Sequence, residues 1–404
     1  MAKKNPITDE GIVVVKFGGT GLVNERIFLA AQRIAALKRK GNDHIVAVVS
    51  AQGNTTDELI ELAKSINPDP DDRSLALLVS IGEMRSCALL TMALNALGVS
   101  AVALTGWQAG IRTNGKGYLD ARIAGIDPRA IHALLNQGHI VVITGFQGGF
   151  IHDNVPEIAL LERGGSDTTA IYIACIIGAY ECVLYKDVLG ILAAPPDVIS
   201  DPEVLTTISL GELEETTESG AEVVSAHALA MLRESKCQLV VRPMFSDDLG
   251  TFVTLAPEHD RIVSSITFRP EIALVRIIAR RRFRTGILNA FTKGHINIYL
   301  RERNNFTVGE QDAEKIKNIL TDRGKELNIT RYSVQTGFVQ ITIVGEGMRH
   351  TPGVLSQIEQ ILKENAIRSS LCSTGEISVS YVVRKARYKK AMNALYDHFF
   401  RNPT

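Results

Sequence analysis

Apolar residues in the first half of the chain form continuous runs rather than alternating ones. The runs "IVVVKF", "HIVAVVS", "VSAVALTG", "HIVVITGFQGG" and "ECVLYKDV" are short, as expected of strands buried on both faces of a sheet. Segments whose apolar residues recur at helical spacing lie between these runs. Apolar residues recur from Ile27 to Leu37, Asn24 is placed to cap this helix, and Gly41 is placed to end it. This alternation predicts an α/β fold with a mostly parallel sheet between two layers of helices.

The pattern changes after "LGTFVTLAPEHDR" to shorter strands and helices that repeat. The segment "ALVRIIARRRFRTGIL" lies on "QITIVGEGMRHTPGVL" without a gap, which places Gly286 against Gly353. Each copy continues with a helix, two short strands and another helix, so a small βαββα unit occurs twice. We therefore predict an α/β domain at residues 1–255 and two ferredoxin-like βαββα units at 265–335 and 336–404.

Composition narrows the class of protein. Of the 404 residues, 45% are hydrophobic and 22% are charged, which is typical of a globular protein with two or three domains. Lysine plus arginine and aspartate plus glutamate both number 44, so the balance favours neither nucleic acid nor an anionic membrane as a partner. No stretch is expected to span a bilayer.

The cysteines and the N-terminal residues indicate a cytoplasmic protein. The start, "MAKKNPITDEG", has no apolar segment of the kind found in secretory signals. The five cysteines are scattered, odd in number and without metal-binding spacing, so we expect reduced thiols and no resident metal site.

The stretch "KFGGT" is the first candidate for chemistry. Lys16 ends a predicted strand, and Gly18 and Gly19 allow the backbone to approach a ligand closely. It is not a Walker loop, in which the lysine follows the glycines. A turn rich in free N–H groups beside an ammonium suits a transferring phosphoryl group. The alternative is a Gly-Gly turn beside a solvated lysine.

Two further stretches carry polar groups in unusual places. In "ERGGSDTTA", Ser166 and Asp167 begin a predicted helix, where they suit simple capping, whereas Arg163 is placed to grip a carboxylate. In "VSIGEMRS", Glu83 lies in an apolar helix, where a carboxylate is usually paired or faces a ligand amine. Each signal is weak by itself.

Taken in order, these motifs resemble the aspartate kinases of the amino-acid kinase family. The resemblance rests on "KFGGT", "VVSAQGNTTDELIELA", "SIGE", "ALTGWQAGI", "GFQGG" and "RGGSDTTA", from Val13 to about Thr251. The repeat behind them looks like the paired regulatory ACT domains of the same enzymes, with "GEGMRHTPGV" and "STGEISVSYVV" similar to the second one. The resemblance implies a three-layer amino-acid kinase fold and phosphoryl transfer from MgATP to the side-chain carboxylate of L-aspartate or a close analogue.

The resemblance also implies a division of roles, which follows by motif. Lys16 and Asp167 are the expected catalytic residues; Thr56, Glu83, Arg163 and Ser166 are expected to bind the amino acid; Gly18, Gly19, Thr20, Lys186 and Asp187 are expected to bind phosphate or nucleotide. Positioning and charge stabilisation account for most of phosphoryl transfer, so this division is physically reasonable.

The predicted nucleotide pocket departs from the family pattern, because "YTDVDGVYTADPR" has become "YKDVLGILAAPPD". Lys186 replaces a threonine, Leu189 and Pro195 replace aspartates, Asp197 replaces an arginine, and Glu222 replaces the lysine of "GAKVLHPRA". Two cations near a triphosphate have thus become two anions, each worth about 1 kcal/mol or more at contact. This favours weaker ATP binding unless Lys186 compensates; alternatively, the loops shift and the acids face solvent.

The regulatory half keeps one family loop and changes the other. The candidates for an amino-acid effector loop are Met348, Pro352, Gly353 and Val354. In the first βαββα unit, the corresponding residues 280–284 include four arginines. These arginines either bind an anionic effector or an acidic face of a partner chain, or they form a solvated rim. The resemblance implies a homo-oligomer joined through ACT units, and we expect "ISVSYVV" to be an unpaired apolar edge that such pairing covers.

Three function classes remain. The chain is an active aspartate kinase, an amino-acid kinase homologue with another donor or acceptor, or a non-catalytic relative that binds aspartate or an effector. The retained Lys16, Glu83, Arg163 and Asp167 favour catalysis, whereas Asp197 and Glu222 argue against ordinary use of MgATP.

Overall fold

The computed structural model describes residues 11–162, 164–221, 224–257, 261–279 and 284–402, which divide into two compact units. The first unit comprises Met1–Ile191, Val204–Leu210 and Glu222–Glu258, and the second comprises Leu192–Glu203, Gly211–Ala221 and His259–Thr404.

The first unit is built on an eight-stranded sheet. Its strands are β1 (Ile12–Phe17), β2 (His44–Val49), β3 (Ala101–Leu104), β6 (Ile140–Thr144), β9 (Glu181–Lys186), β10 (Thr207–Ser209), β11 (Gln238–Pro243) and β12 (Thr251–Thr254), in the spatial order β10-β12-β11-β9-β1-β2-β6-β3. The strands from β11 to β3 are mutually parallel, and β12 pairs antiparallel with β11. Every residue of central β1 is buried. The predicted mostly parallel sheet is confirmed.

A second, four-stranded sheet was not predicted. Its strands are β4 (Ile111–Thr113), β5 (Ile123–Ile126), β7 (Gln147–His152) and β8 (Val155–Leu160), in the order β5-β4-β7-β8. The prediction that "HIVVITGFQGG" forms one strand is wrong, because this stretch contains β6 and the start of β7. Phe146 has a φ of 62°, a left-handed conformation that interrupts extended backbone and separates β6 from β7.

Helices accompany these sheets in the first unit. They are α1 (Arg26–Arg39), α2 (Thr55–Ile66), α3 (Asp72–Ala96), α4 (Arg129–Asn136), α5 (Gly165–Ile176) and α7 (Ala226–Arg233), with a 3₁₀ turn at Gly19–Leu22. Asn24 does not cap α1: Glu25 holds the cap position, and its side chain makes no capping hydrogen bond. Gly41, with a φ of 99°, follows the end of α1 as predicted.

We expected no stretch able to span a bilayer, but α3 meets the length and composition of a membrane-crossing helix. In the structure α3 packs against α1 and α2 and against β3, β6 and β8. Its apolar residues therefore contribute to the packing of the first unit.

The second unit contains a six-stranded antiparallel sheet. Its strands are β13 (Ser265–Ala279), β14 (Ile298–Glu302), β15 (Asn305–Gly309), β16 (Ile329–Val344), β17 (Leu371–Thr374) and β18 (Ser378–Arg384), in the order β14-β15-β13-β16-β18-β17. Its helices are α6 (Leu210–Glu218), α8 (Arg284–Lys293), α9 (Ala313–Asp322), α10 (Val354–Glu364) and α11 (Tyr388–Tyr396); Leu210, the first residue of α6, belongs to the first unit. Three 3₁₀ turns lie at Glu310–Asp312, Glu346–Arg349 and Lys385–Arg387, and a π-helical turn lies at Asp397–Arg401.

The predicted repeat is visible in this order of elements. The series β13, α8, β14, β15, α9 is followed by β16, α10, β17, β18, α11, and the long strands β13 and β16 pair with each other. The two copies therefore share one sheet. The stretch "ISVSYVV" is not an unpaired edge, because β18 lies between β16 and β17; the sheet edges are β14 and β17.

Candidate active site

Lys16 lies at the carboxyl end of β1, next to a turn that only glycine fits. Its side chain is buried, and its Nζ lies 2.7 Å from Oδ1 of Asp167. A Cβ on Gly19 would lie 2.3 Å from the carbonyl oxygen of Ala51, and the Gly53 N–H donates to the Gly19 carbonyl at 3.2 Å. The turn after Lys16 is therefore packed directly against the loop that follows β2.

Asp167 lies in the first turn of α5 and is 6% exposed. The turn begins at Gly164, whose φ of 78° is left-handed, and the Asp167 N–H donates to the Gly164 carbonyl at 3.0 Å. A helix N-terminus favours a negative charge. The sequence motif thus places a carboxylate, rather than a simple cap, beside Lys16.

A second lysine contacts the same carboxylate. Lys186, the last residue of β9, places its Nζ 3.0 Å from Oδ2 of Asp167. Burial alone would raise the pKa of Asp167, but the ammonium groups of Lys16 and Lys186 hold that pKa below its ordinary value. The result is a largely buried cluster of one carboxylate and two ammonium groups at the carboxyl ends of neighbouring parallel strands, where ligands bind in open α/β sheets.

Glu83 is a buried carboxylate with one oxygen in use. On α3 it is 3% exposed, and its Oε1 accepts the Ala51 N–H at 3.0 Å. Within the described part of the chain, Oε2 is buried and has no hydrogen-bond partner. Burial raises the pKa of Glu83 to about 7, although the Ala51 N–H and Lys16 oppose this shift. An unpartnered carboxylate oxygen here fits a ligand ammonium.

The loop after β2 joins these groups. The Ser50 N–H donates to the Phe17 carbonyl at 3.2 Å, and the Ser50 hydroxyl lies 2.7 Å from the hydroxyl of Ser166. Ala51 contacts both the Gly19 turn and Glu83. The loop therefore brings Lys16, Glu83, Ser166 and Asp167 into one connected site.

Sequence reasoning missed Ser50 and a second hydroxyl pair. The Thr168 hydroxyl lies 2.8 Å from that of Ser225, which also accepts the Ala228 N–H at 3.3 Å as the cap of α7. Serine before a helix is a recognisable capping signal. An isolated serine after a strand, such as Ser50, gives no comparable signal.

The other residues predicted for this site are less closely connected. Thr56 is half-buried in the first turn of α2, and Thr20 is exposed, with its carbonyl accepting from Arg26 at 3.0 Å. Asp187 and Leu189 are exposed. Arg163 lies outside the described residues.

The altered nucleotide positions do not all fall in one unit. Pro195 and Asp197 belong to the segment Leu192–Glu203 of the second unit, and Asp197 is exposed. Glu222 lies outside the described residues. That these changes share one pocket stays a prediction.

The effector-loop candidates lie at the start of α10. Met348 belongs to the turn Glu346–Arg349, Pro352 and Gly353 are exposed, and Val354 is buried. The arginine loop lies outside the described residues at 280–283, and Arg284 begins α8.

Comparison with known proteins agrees with this fold. Residues 11–243 match the amino acid kinase family, and residues 341–399 match an ACT domain. The aspartokinase of Bacillus sp. (strain MGA3) is 36% identical over 404 residues, covering 96% of this chain and 97% of that protein. Aspartokinase 2 of Bacillus subtilis (strain 168) is 35% identical over 403 residues, covering 96% and 98%.

A solved structure supports the same fold. Escherichia coli aspartokinase III in complex with aspartate and ADP has a TM-score of 0.77 at 20% identity, with 96% of this chain and 99% of that chain covered. The fold is that of the amino acid kinase family, to which this chain belongs. The matches over nearly the full length place the chain among the aspartokinases of that family.

Proposed function

We propose that this chain transfers the γ-phosphoryl group of ATP to the side-chain carboxylate of L-aspartate. The observation that carries the proposal is the pair of ammonium groups, from Lys16 and Lys186, on the two oxygens of Asp167. Phosphoryl transfer needs positive charge held in place around the moving group more than it needs covalent chemistry. Magnesium enters as part of the nucleotide substrate.

Each residue of the site has a role in this reaction. Lys16 and Lys186 stabilise negative charge on the phosphoryl oxygens, while Asp167 fixes the position of both ammonium groups. Glu83 accepts the substrate ammonium on its Oε2. The remaining roles follow the resemblance. Ser166, Arg163 and Thr56 hold the substrate carboxylates. The N–H groups of Gly18, Gly19 and Thr20 approach the phosphates, and Asp187 lies on the nucleotide side.

Lys186 also compensates for the loss of a positive charge at position 222. Where the family resemblance places a lysine, this chain has Glu222, and where it places a threonine, this chain has Lys186. We propose that Lys186 supplies the second cation of the site. Its 3.0 Å contact with Asp167 supports this assignment.

The experiment is a direct assay of the purified full-length chain with MgATP and L-aspartate, in which hydroxylamine traps the acyl phosphate as a hydroxamate. We expect product from the unaltered chain, loss of product for Lys16→Met, and normal product for Lys64→Met, which alters an exposed lysine on α2. No product, with aspartate still bound, would assign the chain to a sensor or to another donor.

The broader organisation is also proposed here. We assign the kinase domain to residues 1–255 and the ACT domains to 265–335 and 336–404, with an amino-acid effector. From the resemblance we further propose a homo-oligomer through the ACT domains and a cytoplasmic location.

A further inference from the structure

The hydroxyl groups of Thr168 and Ser225 join two helices of the first unit beside Asp167. Thr168 follows Asp167 in the first turn of α5 and is 6% exposed, whereas Ser225 is the N-cap of α7. Their oxygens lie 2.8 Å apart, although the two residues are 57 positions apart in the chain. A tertiary hydrogen bond, rather than a local turn, therefore connects the residue after Asp167 to another helix.

The neighbours of these two hydroxyls give the hydrogen bonds a direction. Ser225 Oγ accepts the Ala228 N–H at 3.3 Å, and Thr168 Oγ1 donates to the Gly164 carbonyl at 3.4 Å. Each hydroxyl has one hydrogen to donate. With the Thr168 hydrogen directed to Gly164, the hydrogen between the two hydroxyls comes from Ser225. A chain of hydrogen bonds therefore runs from the N-terminus of α7 to Gly164.

Gly164 is the residue at which the turn before Asp167 begins. Its φ is 78°, and its carbonyl also accepts the N–H groups of Asp167 at 3.0 Å and Thr168 at 3.1 Å. Gly164 is exposed, and no atom of the other described residues lies within 4 Å of a Cβ built on it. Hydrogen bonds to this carbonyl, more than packing, therefore hold the turn in place.

The position of Asp167 has little tolerance. Its Oδ1 lies 2.7 Å from Lys16 Nζ and its Oδ2 lies 3.0 Å from Lys186 Nζ, so a tilt of the carboxylate lengthens at least one ion pair. A displacement of about 1 Å at a reacting centre can lower a rate by about 10²-fold. The turn that carries Asp167 must therefore be held closely.

Capping of α7 by itself does not account for this arrangement. The family pattern "GAKVLHPRA" places histidine and proline where this chain has Ser225 and Ala226. Serine, aspartate and asparagine all serve as N-caps through an acceptor oxygen. Of these, only serine carries a hydroxyl, which accepts the Ala228 N–H and also donates a hydrogen to Thr168.

We propose that Ser225 is a positioning residue for the phosphoryl-transfer site. Through Thr168 and the Gly164 carbonyl it holds the first turn of α5, and with it the carboxylate that separates Lys16 from Lys186. The inference rests on the proposed kinase reaction and adds to it a residue that does not itself contact substrate. Ser225 thereby ties the position of Asp167 to that of α7.

The first test compares two substitutions of Ser225 by steady-state kinetics with MgATP and L-aspartate. Ser225→Gly removes the hydroxyl at little cost to the helix, because glycine is tolerated at an N-cap. We expect kcat to fall at least about tenfold, with each KM within about twofold of its original value, because ground-state binding is retained. Ser225→Thr, which keeps a hydroxyl, should stay within about twofold in kcat.

The matched control is Ser235→Gly. Ser235 is half-buried like Ser225, lies beyond the other end of α7 and donates to the Leu232 carbonyl at 2.9 Å. We expect its kcat to be unchanged. A loss in Ser225→Gly together with recovery in Ser225→Thr is not what a merely destabilised helix would produce.

A double-mutant cycle tests the route through Thr168. Thr168→Val removes the same chain of hydrogen bonds, so its loss of kcat and that of Ser225→Gly should not multiply in the double variant. Losses that multiply would overturn the proposal, as would an unchanged kcat in Ser225→Gly or an equal loss in Ser225→Thr; each of these results leaves the kinase assignment intact. If the unaltered chain forms no hydroxamate, the kinase assignment and this inference are overturned together.

Discussion

Lys186 Nζ and Asp167 Oδ2 lie 3.0 Å apart, on the side of the carboxylate opposite to the oxygen that contacts Lys16. This contact depends on the pairing of β1 with β9, in which Phe17 lies opposite Tyr185, so that Lys186 is the next residue toward the ligand edge. One aspartate thereby sets the separation of two ammonium groups.

Lys186→Thr, which restores the residue expected from the family, should lower kcat about 10²- to 10³-fold, because one preorganised positive group is lost. Adding Glu222→Lys to this variant should recover at least about tenfold of the loss. Steady-state kinetics with MgATP and L-aspartate measure both effects, with Lys64→Thr as the control. An unchanged kcat in Lys186→Thr would remove Lys186 from the mechanism.

Glu83 should make aspartate binding depend on pH. Its pKa is about 7, and only the ionised form pairs with the substrate ammonium. The Kd for L-aspartate should therefore rise about tenfold per pH unit below pH 7. In Glu83→Gln the Kd should be weak and flat over the same range. A pH-independent Kd in the unaltered chain would contradict this assignment.

Glu83 should also affect stability, with a sign set by its raised pKa. Glu83 binds its proton more tightly in the folded state than in the unfolded state, where its pKa is 4.5. Protonation of Glu83 therefore stabilises the fold fully below pH 4.5, and this stabilisation is lost as the pH rises through about 7. Relative to Glu83→Gln, the unaltered chain should lose about 3 kcal/mol of unfolding free energy across this window. Denaturant unfolding of both proteins at several pH values measures it.

Asp167→Asn should remove the charge that holds the two lysines together. We expect loss of activity and a fall in unfolding free energy of about 3 kcal/mol at neutral pH, as when one partner of a buried ion pair is removed. Because the pKa of Asp167 is lowered in the folded state, this difference is complete above pH 3.8 and is lost as the pH falls through the folded-state pKa, which lies below 3.8. Asp322→Asn, an exposed control on α9, should show neither effect.

Gly19→Ala should disturb the turn after Lys16. The added Cβ would lie 2.3 Å from the Ala51 carbonyl, so the backbone must shift. We expect a loss of about 1–3 kcal/mol, and a melting temperature lower by about 3–10 °C. Gly125→Ala is the matched control, since no atom lies within 4 Å of the new Cβ. Equal melting temperatures for the two variants would contradict the close packing.

Much of this architecture could be predicted from the sequence, because it rests on local patterns. Lys16, Glu83 and Asp167 stand out as polar groups in apolar or glycine-rich surroundings, and the structure connects them. The resemblance implied a phosphate-binding role for Lys186, but its contact with Asp167 could not be predicted from a local pattern, since it depends on which strand lies beside β1. The internal position of β18 likewise depends on strand order, which its own composition does not encode.

The backbone of Ala51 has a further consequence for substrate choice. Its N–H donates to Glu83 and its carbonyl lies against Gly19. A single short loop therefore fixes the distance between Glu83, which is proposed to bind the substrate ammonium, and the Gly19 turn, which is proposed to bind phosphate. The site should therefore select substrates by the length of the amino-acid side chain. Redesign toward a longer dicarboxylic amino acid should begin at the opposite wall, because widening the gap at Ala51 displaces both ends of the reaction together.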